Sequence, residues 1–465
     1  MKVVANLFDI RKFNNQQRSH FYINVGVGLT IAFIFFLMGQ TDWGEQLVNL
    51  GFDILVRIES RIYREKTVPL NDSAVFFIDI THADYKKWGE PLVTPRDRLA
   101  RMIENSWQQG AAVVALDVQL DRPDRANPAG DRQLRTVLER MLQENAGTHV
   151  IFPVAIGVDG DIKNNIFDDL IDLPTAKGVH IFHRAVPAIE ATSRDMVYRY
   201  WVPSNIGSKG GRPPQLIWSV TVLATALSEG KAAELDLMAR ELVSKALHGH
   251  GPVHTDYAIR LGGREVEIAP LVRNTAVRDN PREPLIVQPE AHSRIYTQRI
   301  RFRLAPETAS TARLRLTGDK FEPGDDNLLP NLAGKIVLIG NLSPDLNDFH
   351  MTPVGKMPGV YILGNAINTV ADGRMPVHFP LWGHVMAEIV VILVAAIFFL
   401  HFTSQLAQFM ASSLFIAIFF PVSWFIYDSW GLFFNFIVPL IGMSFHRIAS
   451  GFEDALISRG RRTQH

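Results

Sequence analysis

Four aspartates stand where oxygen ligands could converge. Asp79 closes the apolar run SAVFFIDI, Asp117 lies near the end of AAVVALDVQL, and Asp345 and Asp348 follow GKIVLIG within a few residues. A hard divalent cation takes such carboxylates. If the three runs are parallel neighbours, their carboxyl ends share one sheet edge, where open α/β sheets receive ligands. The competing role for each aspartate is to cap a turn or a helix. A divalent cation is the only cofactor these residues suggest, and otherwise none is expected.

Other chemistries find less support. The run ending at Gly340 opens into NLSPDLND, with neither the second glycine nor the lysine of a phosphate-binding loop. Cysteine is absent, which removes disulfides, thiolate metal sites and a cysteine nucleophile. The serine hydrolase pattern GxSxG is missing. His180 and His183 fall near one strand, while His248, His250 and His254 sit in HGHGPVH, a turn-rich stretch that reads as solvated loop. No catalytic residue is expected, and the chain does not read as an enzyme. Lysine plus arginine equals aspartate plus glutamate, 47 each, so composition gives a nucleic-acid partner no support.

The elements that must position these residues begin with a membrane frame. Residues 21–39 carry no charge over a length that spans a bilayer as a helix. Lys2, Arg11, Lys12 and Arg18 precede that run and no small-x-small cleavage site follows it, as in an uncleaved signal anchor. Residues 379–402, 406–427 and 431–446 form three further expected spans, with Pro421 and Pro439 inside the last two. Arg447, Arg459, Arg461 and Arg462 follow them. The positive-inside rule then places residues 1–20 and the tail 447–465 in the cytoplasm of a bacterial inner membrane. Residues 41–378 lie outside it. His384 and Glu388 are four apart and share a helix face. An ionisable residue within a span is a functional candidate; at the level of the headgroups it is not.

The outer segment alternates strands and helices. After SAVFFIDI, TPRDRLARMIENSWQQG offers Thr94 as N-cap, Pro95 at the first helical position and Asp97 for a capping box. Leu99, Met102, Ile103 and Trp107 make one apolar face, and Gly110 ends the helix. AAVVALDVQL completes a βαβ unit. Further strands are expected at HVIFPVAIG, VHIFHRAV and GKIVLIG, with helices over 214–230 and 360–373. The fold class is α/β, a mainly parallel sheet with covering helices. Residues 231–318 read as a β-rich insertion of short antiparallel hairpins.

With these residues in view, the chain resembles the CHASE group of extracellular sensor domains, second type. FDILVRIESR is similar to that family's membrane-proximal helix. The stretch with Asp79, Trp88, Pro95 and Arg96 resembles its opening, and GAAVVALDVQLDRPD, with Gly110, Asp117 and Asp124, its second strand. The closest block is AGKIVLIGNLSPDLNDFHMTPVGKMPGVYILGNAINTV. There Gly334, Lys335, Gly340, Asp348, Thr352, Pro353, Pro358, Gly359 and Asn365 stand where the family pattern expects them. One span before the domain and three after it is also that family's layout. The resemblance implies a receptor. Family members usually carry a catalytic module after the last span, whereas the 447–465 tail is too short to fold as one.

The expected function is therefore a sensor subunit that relays a periplasmic signal to a separate cytoplasmic or membrane protein in trans. The alternative is a structural scaffold in an envelope complex. The membrane, that signalling protein and a second copy of the chain are the partners considered. The block from Lys335 to Val360 reads as architectural, a strand and a loop whose prolines fix its path back to the membrane-proximal helix.

Overall fold

The computed structural model describes residues 14–38, 41–156, 162–191, 196–207, 215–248, 257–268, 298–321, 330–343, 348–378, 381–402, 404–437, 439–442 and 444–445. Asp345, His250, His254, the basic residues Lys2, Arg11 and Lys12, residues 269–297 of the expected β-rich insertion and the 447–465 tail lie outside them. The chain divides into two compact units, Val56–Met375, and Met1–Leu55 with Pro376–His465.

The Val56–Met375 unit is built on a six-stranded sheet. Its strands are β1 (Val75–Ile80), β2 (Val113–Asp117), β3 (His149–Pro153), β4 (Phe182–Ala185), β5 (Arg315–Thr317) and β6 (Ile336–Asn341), in the order β5-β1-β6-β2-β3-β4. Every pairing is parallel. β1 is buried throughout, as an unbroken apolar run in a two-sided sheet must be. Parallel pairing also sends every strand's carboxyl end to one edge.

Helices fill the crossovers. One is Arg96–Gln108, with Leu99, Met102 and Ile103 buried. It starts one residue later than the sequence suggests: Pro95 occupies the cap position, and no side chain caps the helix. Asp97 therefore misses the capping-box position and instead accepts from Asn127 Nδ2 at 3.4 Å. Gly110, at φ 81°, ends this helix as expected. Pro128–Gln143 crosses from β2 to β3 and buries Leu134, Val137, Leu138 and Met141. Asn127 caps it and proline occupies its first turn.

Two expectations are corrected. Residues 214–230 are not one helix: Gln215–Trp218 is a strand, antiparallel to Ser204–Gly207, and the helix is Val220–Ser228. Ser219 sets that start, its Oγ accepting from Val222 N at 3.3 Å. Residues 231–318 are not uniformly β-rich. They open with the helix Ala232–His248 and hold the expected hairpin of Tyr257–Leu261 with Arg264–Ile268. They close with β5, which joins the main sheet as a parallel edge strand instead of forming a hairpin.

The helix Gly359–Ala371 covers the centre of the sheet. Its glycines are set by contact. A Cβ on Gly364 would lie 2.5 Å from Phe77 Cζ, and one on Gly340 would lie 2.6 Å from Val360 Cβ. Tyr361 stacks on Phe77 at 4.3 Å between centroids. Asn365 ties this helix to the 303–304 backbone. Its Oδ1 accepts from Arg303 N and Leu304 N, both at 2.8 Å, and its Nδ2 donates to Leu304 O at 2.7 Å.

A buried ion cluster adds a third tie. Glu59 belongs to the helix Asp42–Arg64 and is wholly buried. Arg301 Nε donates to its Oε1 at 2.9 Å, and Arg303 also donates to that oxygen. Burial raises the Glu59 pKa, but the charges and hydrogen bonds of Arg301 and Arg303 outweigh it and hold the carboxyl below the usual range. Arg303 also lies over the Tyr63 ring, 4.5 Å from its centroid. Further along the same helix, Arg57 Nε donates to Pro353 O at 2.7 Å and Arg64 Nη2 to Val354 O at 3.2 Å.

The other unit holds the helices Asn15–Met38, Leu381–His401 and Ser404–Trp430. Among the described residues, one helical stretch, Gln405–Trp430, is long and apolar enough to cross a membrane, and Val385–His401 is a shorter apolar helix. Gly28 lets two helices approach, since a Cβ there would lie 2.7 Å from Ile392 Cγ2. The stretch 431–446 is not helical from its start. Leu432–Phe433 pairs in parallel with Val377–His378, and helical residues begin at 437. Gly431 at φ 71° breaks the preceding helix, and Asn435 Oδ1 accepts from Ile437 N at 3.1 Å.

Replacing Glu59 by Gln leaves two buried guanidinium groups facing a neutral acceptor. The expected cost is about 3–5 kcal/mol. Urea unfolding of the full chain in detergent, followed by tryptophan fluorescence, measures it.

Candidate functional site

The carboxyl ends of β1, β6 and β2 bring the sequence's acidic residues to one level. Asp79 pairs with Gly340, and Gly340 pairs with Asp117. Laterally paired residues of a sheet face the same way, so the two aspartates flank a position with no side chain.

Their surroundings differ. Asp79 is buried and committed: Tyr361 Oη donates to its Oδ2 at 2.8 Å and Arg315 Nη1 at 3.2 Å. Burial pushes its pKa up to about 6, against the lowering influence of Tyr361 and Arg315. Asp117 is half-buried, and among the described residues no donor reaches its carboxyl. Burial, with the Asp348 carboxylate adding, pushes its pKa up to about 7. Asp348 lies over the start of the helix Gly359–Ala371, where the dipole favours negative charge. Its carbonyl accepts from Gly359 N at 3.0 Å, and a Cβ on Gly359 would stand 2.5 Å from its Oδ2. Thus Asp117 and Asp348 come together, Asp79 is held apart by its own partners, and Asp345 lies outside the described residues. Among the described residues, no group of three His, Cys, Asp or Glu side chains is arranged to hold a metal ion.

Asp117 and Asp348 line a groove. Its inner part, about 660 Å³, is lined also by Tyr85, Trp88, Pro153–Ile156 and Val186–Ala188. An outer part of about 910 Å³ shares Trp88, Leu92 and Arg122 with it and extends past Lys87, Arg98 and Arg125. The loop from Trp88 to Pro95 forms one lip. It turns on Gly89 and Glu90, at φ 83° and 53°, and leaves Leu92 88% exposed.

The motif residues largely brace this edge. Pro95 precedes the helix Arg96–Gln108, and Arg96 is wholly buried, its Nη2 donating to Gln119 O at 3.0 Å. The Trp88 indole approaches Gly318 closely enough that a Cβ there would lie 3.0 Å from its Cη2. Asp124 Oδ1 accepts from Asn127 N at 3.0 Å, fixing the opposite lip. Gly334, at φ 73°, turns the chain into β6, and Lys335 Nζ donates to Ser73 O at 2.7 Å. Thr352 Oγ1 donates to Gly355 O at 2.6 Å within a hairpin that ends at Pro358, the cap of the next helix.

The remaining candidates lie elsewhere. His183 contacts His149, a residue the sequence reading passed over, at 3.0 Å between ring nitrogens. Burial, with the charges of His149 and His180, pushes the His183 pKa down to about 3. His180 is exposed. In the other unit, His384 lies on the helix Leu381–His401, and Glu388 lines an apolar cavity of about 50 Å³ beside Gly28 and Pro439.

A family model, the CHASE2 domain, matches residues 29–398. The chain belongs to the CHASE2 family. CHASE2 domains are sensory and extracellular, which gives the groove a context. No match was found among curated proteins or solved structures. The residues that sequence reasoning missed in this CHASE2 domain are Tyr361, Arg315, Arg122 and Arg125. Only the placement of Tyr361 two residues beyond the Pro358–Gly359 turn pointed towards β1.

The sign of the Asp117 effect follows from its raised pKa. The folded state holds the proton more tightly than the unfolded chain, so stability is full below about pH 4 and declines as pH rises towards 7. Asp117→Asn removes that decline. Because the group is only half-buried, the expected gain over the parent at pH 8 is about 1–2 kcal/mol, with none at pH 4. Thermal melts followed by circular dichroism read the difference. Tyr361→Phe leaves Asp79 with Arg315 alone and is expected to cost about 1–3 kcal/mol in the same assay.

Proposed function

We propose that this chain is a sensor subunit of a bacterial inner membrane. The Val56–Met375 unit lies outside the cytoplasm, and several helices of the other unit cross the bilayer with both termini inside. A signal received in the groove passes to a separate cytoplasmic or membrane protein. The groove is the observation that carries this reading: a large opening at the carboxyl edge of a parallel sheet, holding a carboxyl without a partner among the described residues. Membership of a sensory family supports it. On this reading the chain acts by binding and not by catalysis.

A ligand acts on such a system only by favouring one packing over another. The narrow point of the reading is therefore topology. Protease added to intact spheroplasts is expected to cut within Val56–Met375 and to spare both termini; the opposite pattern overturns the proposal. Affinity purification of the full chain from membranes is expected to recover a signalling protein in fixed ratio.

A further inference from the structure

The groove carries charges of both signs. Asp117, with no donor among the described residues, and Asp348, whose Oδ1 lies 3.0 Å from His350 Nε2, line the inner part. Arg122 lines both parts of the groove and Arg125 the outer part. The Arg122 guanidinium is 57% exposed and lies 3.6 Å from its neighbour Asp121, and Arg125 is exposed with no acid against it among the described residues. The acids of the outer part are occupied: Asp124 accepts from the Ala126 and Asn127 amides, and Asp97 from Asn127 Nδ2. Tyr85 and Trp88 also line the inner part.

We propose that the groove takes a small zwitterion of the amino-acid or short-peptide class, its ammonium on Asp117 and Asp348 and its carboxylate on Arg122 and Arg125. A half-buried carboxyl without a donor favours a ligand that brings N–H groups and a positive charge. An ammonium supplies three donors and no acceptor. Tyr85 and Trp88 are aromatic, and a cation is drawn to such rings. The guanidinium groups match a carboxylate in two-pronged geometry. Two carboxylates are too few for a protein-built cation cage, which calls for at least six oxygens, whereas they suffice for an ammonium. The inner part, at about 660 Å³, has room for a side chain beyond the backbone ends, and Val93 and Val154 give it apolar surface.

The inference rests on reading the groove as the sensing site, and the test separates the two. The purified full chain in detergent is melted with each of the common L-amino acids and a set of dipeptides. The N-acetyl and methyl-ester forms of every compound that binds serve as one-ended controls. At about ten times its dissociation constant, a ligand is expected to raise the melting temperature by about 2 °C or more. Either one-ended form is expected to bind about tenfold more weakly or worse, by calorimetry. Asp117→Asn and the exposed double change Arg122→Ala with Arg125→Ala are each expected to lose about tenfold while keeping the parent's cooperative unfolding. The proposal falls if no compound shifts the melt, if a one-ended form or a plain amine binds equally well, or if both variants keep full affinity. A ligand that binds without altering the captured partner would sink the relay and leave the site standing. A partner captured by a chain that binds no zwitterion would do the reverse.

Discussion

A single carboxylate, Glu59, holds three separate segments of the Val56–Met375 unit together. It is wholly buried, and its two arginines come from a stretch more than two hundred residues further along the chain. Taking such charges out of water is costly, and their mutual attraction repays the cost only when geometry and extra hydrogen bonds are good. Here they are: Arg301 engages both carboxylate oxygens, its amide donates to Thr369 Oγ1, and Arg303 lies over Tyr63. The gain is a fixed register. The helix Asp42–Arg64, the 298–305 stretch and the helix Gly359–Ala371 can assemble in only one arrangement if no charge is to be left unpaired.

That register propagates to the groove. Asn365 and Thr369 fix the helix Gly359–Ala371 along the buried arginines, and this sets where its amino end lies. The amino end seats Gly359 beneath Asp348 and Val360 beneath Gly340. Tyr361, one residue on, reaches Asp79. A chain of close contacts thus runs from a buried ion cluster to the floor of the cavity, and each link is a hydrogen bond or a contact too tight for an added methyl.

Much of this was legible in the sequence, for stated reasons. The central strands are unbroken apolar runs of five or six residues, which is how strands buried on both faces read. The aspartates at their ends could be placed on one edge because parallel pairing leaves no other option. Less local features were hidden. Arg315–Thr317 is three residues long, and its apolar and charged residues alternate as in any hairpin; only the sheet shows that it pairs with β1. The helix Pro128–Gln143 carried both a cap and an apolar face, yet it follows a turn-rich stretch that reads as loop. The Glu59 cluster left no trace, because spacing along the chain carries no information about ionic partners that distant. The membrane-spanning pattern was clear as composition, but the break at Gly431 was masked by the apolar residues on either side of it.

The bare Cα of Gly340, between two acids, has a consequence for how the domain can change. The committed acid and the open one share a face but no atom, so the open one can be exchanged without breaking the bonds that Tyr361 and Arg315 make to Asp79. Residues of the groove such as Leu92, Arg122 and Arg125 are solvent-facing. Exchanges at such positions typically cost no more than about 0.5 kcal/mol. The scaffold is thus free to acquire a new taste in ligands by swapping a few lip residues, while the frame that reads occupancy stays as it is.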